Sequence, residues 1–87
     1  MDFLLLISLL SGDVTYSKVQ PIFKERCASC HNENWADKNW MDIKVARANA
    51  DKIKLRVEQR TMPPGNLTGM TDEERELIKA WVNNGSK

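Results

Sequence analysis

An all-α domain of three to four helices is the fold class the sequence predicts, and three observations predict it. Apolar residues recur at three- and four-residue spacing in separate stretches, strand-like runs are scarce, and helix-capping pairs stand where two of those stretches open. The length of 87 residues suits one domain, near the lower limit for a self-sufficient apolar core.

The first helix is expected from about Lys18 to Cys27. Ser17 and Gln20 have capping-box spacing, Val19, Ile22, Phe23 and Cys27 fall near one face, and Pro21 would sit in the first turn, where its missing N–H costs least. From Asp42 onward Ile43, Ala46, Ala50, Ile53 and Val57 keep helical spacing, which marks one long helix or two with a break near Asn49-Ala50-Asp51. It should end before Met62. The last helix opens with Thr71 as N-cap and Glu74 as its capping-box partner, places Asp72 and Glu73 in the first turn, and stops at Asn84-Gly85. Leu77, Ile78, Trp81 and Val82 form its expected buried face, which should cross the first helix near Phe23.

Residues 1–12 stand apart from the domain over 13–87. Phe3 to Leu10 is almost wholly apolar, too short to span a bilayer, and has the length of the apolar region of an export signal. Asp2 replaces the usual basic flank and Leu10-Ser11-Gly12 is a weak cleavage junction. A short export or anchor segment is therefore expected; if retained, it would bring the chain to a membrane or to a copy of itself through residues 3–10.

Cys27-Ala28-Ser29-Cys30-His31 carries the chemistry. A C-x-x-C-H run is the attachment site of c-type haem: two thiols add to the haem vinyl groups as thioethers, and the histidine binds the iron from one face. A zinc site needs four ligands, and this chain offers only Cys27, Cys30 and its single histidine, His31. A thioredoxin-like dithiol would stand near a β-α-β pattern, whereas the segment before Cys27 is helical in pattern. Thr61-Met62-Pro63-Pro64-Gly65-Asn66 supplies the second half of a haem site. A thioether suits the open face of a His-ligated haem, and the Pro-flanked turn would hold the Met62 sulfur in one place. Met70 and Met41 are the rival ligands. The intervening loop, 32–40, is polar but holds two tryptophans, and Trp35 or Trp40 either covers the porphyrin and donates its indole N–H to a propionate or simply anchors the loop.

Val19-Gln20-Pro21-Ile22-Phe23 ahead of Arg26-Cys27, then Arg56-Val57, Thr61-Met62-Pro63-Pro64, Leu67-Thr68, and Trp81-Val82 before Gly85, resemble the small bacterial monohaem cytochromes c. The likeness runs from Val14 to the C-terminus. It implies a cytochrome c-like fold of helices wrapped around one covalent haem c, with Cys27 and Cys30 as thioether positions, His31 as proximal ligand and Met62 as distal ligand. It also implies a carrier of single electrons between redox partner proteins, not an enzyme. Haem attachment outside the cytoplasm would place it in the periplasm or on the outer face of the cytoplasmic membrane. A gas-binding or peroxidase-like haem protein, or a haem subunit of a larger respiratory or photosynthetic complex, are the alternatives. Two departures stand out: Asn32 follows His31 where many relatives have Gly, and no Pro between His31 and Met62 offers its carbonyl to the imidazole. The acceptor for the His31 Nδ1 proton is left open.

Composition agrees with a soluble globule, at 41% hydrophobic and 29% charged residues. A formal charge of +1 gives no basis for nucleic-acid binding. With both cysteines assigned to haem, no disulfide is expected.

Overall fold

The protein is described by a computed structural model over residues 14–87. The expectations for residues 1–12 lie outside that range. Four α-helices and no strand occur among the described residues: α1 (Tyr16–Ile22), α2 (Ile43–Ala48), α3 (Ala50–Glu58) and α4 (Asp72–Asn83). None is long and apolar enough to cross a membrane.

Helix α1 begins earlier than the sequence suggests. Thr15 is its N-cap and makes no side-chain cap bond; its hydroxyl instead meets that of Ser17 at 3.0 Å. The expected Ser17–Gln20 capping box therefore does not form, because Ser17 already lies inside the helix, past the position from which a hydroxyl reaches the first free N–H groups. For the same reason Pro21 lies inside α1 and withholds an N–H from the Ser17 carbonyl. The chain continues as a π-helical turn over Phe23–Cys27, closed by the Ala28 N–H donating to the Phe23 carbonyl at 2.8 Å.

Of the two readings of the 43–57 stretch, one long helix or two, the structure has two, with the break at Asn49. Asp42 caps α2 by accepting from the Lys44 N–H, and Asn49 ends α2 and begins α3. The Asn49 amide bonds back to the Val45 carbonyl at 2.9 Å, which competes with continuation of a single helix. Helix α4 has the capping box read from its sequence: the Glu74 N–H donates to the Thr71 hydroxyl at 3.1 Å, and the Thr71 N–H donates to the Glu74 carboxylate at 2.8 Å. Its C-terminus closes as a Schellman turn, with the Gly85 N–H on Val82 and the Ser86 N–H on Trp81. Gly85 sits at φ +94, where a Cβ would be strained.

α1 packs across α4, and α3 packs beside α4. Phe23 meets Trp81 edge-on at 5.7 Å, near the crossing expected for it, and Tyr16 stands 6.1 Å from both rings. Val14, Val19, Ile22, Trp40, Ala46, Ala50, Ile53, Val57, Met70 and Ile78 complete the core. The buried stripe of α4 differs from expectation. Leu77 and Val82 are half-buried at its margins, while Arg75 is buried because its guanidinium finds backbone carbonyls inside.

Candidate functional site

Cys27 to His31 forms one helical turn directly after the π turn. The Cys30 N–H donates to the Cys27 carbonyl at 3.1 Å and the His31 N–H to the same oxygen at 2.8 Å. Both cysteines are free thiols; Cys27 is half-buried and Cys30 exposed. Burial, with the Glu74 and Cys30 charges adding to it, pushes the Cys27 thiol up to about 12. A thioredoxin-like pair needs the opposite shift, toward a ready thiolate. No group of three His, Cys, Asp or Glu side chains capable of holding a metal ion occurs among the described residues.

The loop after His31 is built to hold that imidazole. Asn32 donates to the Ala28 carbonyl at 2.7 Å and accepts from the Asn34 N–H at 2.9 Å, which turns the chain back. A 3-10 turn over Ala36–Lys38 follows, anchored by Lys38 Nζ on the Asn49 side chain at 3.2 Å. This brings the Lys38 carbonyl to 3.0 Å from His31 Nδ1. The acceptor left open by the sequence is therefore a backbone carbonyl seven residues on, which needs no proline. Neutral His31 carries its proton on Nδ1 in this arrangement and keeps the Nε2 lone pair for a ligand. Burial lowers the His31 pKa against the opposing effect of that bond, which favours the neutral imidazole that ligation requires.

Trp35 and Trp40 stack on the imidazole, with ring centroids at 5.0 and 4.5 Å and planes within 15° of parallel. Trp40 is buried, with its carbonyl taking the Tyr16 hydroxyl at 2.6 Å; Trp35 is 48% exposed. Both tryptophans of the loop thus stack on His31. Pattern reasoning missed this because the pairing depends on the turn geometry of residues 32–40.

Met62 lies after α3 and is 38% exposed, whereas Met70 is buried at 4% in the core. The two rivals differ accordingly: the Met70 thioether is packed among apolar side chains, and that of Met62 is accessible. Met41, half-buried, also packs against the core. The Met62 backbone is held at both ends, its N–H on the Arg56 carbonyl and its carbonyl on Arg75 Nη1 at 3.1 Å. Arg75 Nη1 also donates to the Val57 carbonyl at 3.1 Å, and Nη2 to Asn66 Oδ1 at 3.3 Å. Asn66 in turn accepts from the Met70 N–H at 2.9 Å.

Met62 makes no hydrogen bond to the Cys27–His31 turn. The two halves of the site are joined through Arg26, beside Cys27. Its guanidinium donates to the Thr68 carbonyl and to the Glu74 carboxylate, the latter at 3.1 Å, while Thr68 Oγ1 donates to the Arg26 carbonyl at 2.7 Å. Burial alone would raise the Glu74 pKa, but the bonds from Thr71 and Arg26 together outweigh it and hold the carboxyl below its ordinary value of 4.5. A carboxylate with a depressed folded-state pKa adds stability that is present above its unfolded value and is lost as pH falls through the folded value. Acid titration below pH 4.5 is thus expected to loosen this tie, and Glu74→Gln to remove part of the acid dependence of the unfolding midpoint. Equal acid slopes in the two proteins would count against the tie.

The donor set fits a His/Met-ligated c-type haem: two free thiols spaced three apart, an imidazole fixed through Nδ1, and an accessible thioether on a pinned loop. A cavity of about 600 Å³ beside Lys44, Arg47 and Val82 touches none of these residues. No protein-family description, curated protein or solved structure matches the chain.

Proposed function

We propose that the chain is a small monohaem c-type cytochrome that carries single electrons between redox partner proteins on the outer side of the cytoplasmic membrane. The observation that carries this reading is the Cys27–His31 turn, in which the imidazole beside two free thiols has Nδ1 committed to the Lys38 carbonyl. Bound haem supplies the one-electron chemistry at its iron. Cys27 and Cys30 anchor it as thioethers, and His31 Nε2 is the proximal ligand. Trp35, Trp40 and the Lys38 carbonyl hold the imidazole against rotation. Met62 provides a soft sixth ligand that favours the ferrous state.

The reduced protein, examined by visible spectroscopy with and without carbon monoxide, tests this. Haem should stay with the chain through acid-acetone extraction, thiol titration should find no free thiol, and carbon monoxide should shift the spectrum only slowly. Extractable haem with two titratable thiols would overturn the assignment. Covalent haem with a rapid carbon monoxide shift would replace the carrier with a gas-binding or peroxidase-like protein.

A further inference from the structure

We propose that Arg75 is the positioning residue for Met62, and that its buried charge raises the reduction potential of the site; this rests on the haem-carrier reading above. Arg75 is 4% exposed and makes no bond to a carboxylate. Its hydrogen-bond partners are neutral acceptors: the carbonyls of Val57 and Met62 and the side chain of Asn66. Nε has no partner. Glu58, Asp72 and Glu76 line the same small cavity as Arg75, but each has its ion pair with another cation, Arg60 or the shared Lys79, and none with Arg75. Asp72 pairs with Arg60 at 2.8 Å, and Glu76 and Glu58 lie 3.0 and 4.0 Å from Lys79.

A buried cation with no carboxylate bonded to it is costly, and a core position on α4 filled by an apolar residue would avoid that cost. What the guanidinium achieves is geometric. Its fork grips the end of α3, the Met62 carbonyl and the Asn66 side chain at once, and Asn66 passes the restraint on to Met70. The whole turn from 57 to 70 is gathered onto α4 by one side chain. A permanent cation on the backbone of the ligand residue also opposes the additional positive charge of the oxidised site, and so favours the reduced state.

The test uses the haem-loaded full chain and four variants: Arg75→Gln, Arg75→Lys, Asn66→Gly and Met62→Ala. Glycine is chosen at 66 because that residue has φ +51. The readouts are the sulfur-to-iron band of the oxidised protein, the rate of carbon monoxide binding to the reduced protein, and the midpoint potential. Arg75→Gln should lower the potential and speed carbon monoxide binding by at least about tenfold, the scale of losing hydrogen bonds from a charged donor. Arg75→Lys should keep the potential near that of the parent, since charge is retained, yet still bind carbon monoxide faster because the fork is gone. Asn66→Gly should speed binding by a smaller factor with the potential unchanged.

Parent-like potential and binding in Arg75→Gln, where Met62→Ala has lost the band, would overturn the proposal and leave the haem-carrier reading intact. A parent protein without the band would defeat the carrier reading itself. Should Arg75→Gln fail to fold, Arg75→Lys and Asn66→Gly decide, and unchanged binding in both overturns the positioning role.

Discussion

Met62→Ala is expected to abolish the weak near-infrared sulfur-to-iron band, open the iron to carbon monoxide and lower the potential, with little loss of fold. Met70→Ala is expected to do the reverse. The reason is the difference in burial: 38% of the Met62 surface is exposed, against 4% for Met70, which is packed in the core. Truncating a buried methionine to alanine costs about 2–5 kcal/mol, through lost transfer energy and the cavity left behind. A partly exposed thioether adds far less to the fold, so its removal should be felt at the iron. Spectra and denaturant midpoints recorded on both variants in the same haem state give the answer. If Met70→Ala loses the band and Met62→Ala keeps it, the ligand assignment is wrong.

Trp81→Ala should be the most destructive single change in the described residues. Trp81 is wholly buried, meets Phe23 edge-on and stands close to Tyr16, so its loss opens the junction between α1 and α4. A buried tryptophan replaced by alanine costs about 3–5 kcal/mol, a large share of the roughly 5–15 kcal/mol that holds an ordinary domain together. Trp81→Phe should cost much less. Its indole N–H has no hydrogen-bond partner, and phenylalanine removes that unpaired donor while keeping most of the apolar surface. Denaturant unfolding of the two variants separates these effects: equal losses would mean that the indole N–H is satisfied after all.

The helices whose boundaries rest on local chemistry were legible in the sequence. The Thr71–Glu74 box, the Asn49 break and the Gly85 stop each depend on residues within one or two turns, and each stands where the sequence puts it. Helix α1 was misread at its start because Thr15 and Ser17 are both acceptable caps, and local preference alone does not choose between them. The features of the site that escaped notice are those made by distant partners. Nothing in a single arginine on an otherwise apolar face announces that it will bind carbonyls 13 and 18 residues away. The Lys38 carbonyl is invisible in a sequence for a simpler reason: every residue has one.

The bonds that shape the two halves of the site differ in reach, and that difference sets an order of assembly. Cys27, Cys30 and His31 are arranged largely by contacts closed within the Phe23–Trp40 stretch, which cost little chain entropy to form. The Met62 loop is tied to Arg26 through Thr68, 42 residues on, and to Arg75 on the last helix, so it is fully secured only when α4 has docked. In a haem-carrying chain, the covalent anchor would therefore be completed on a largely unfolded polypeptide. Axial sulfur would come last, as the signal that the remainder of the molecule has closed.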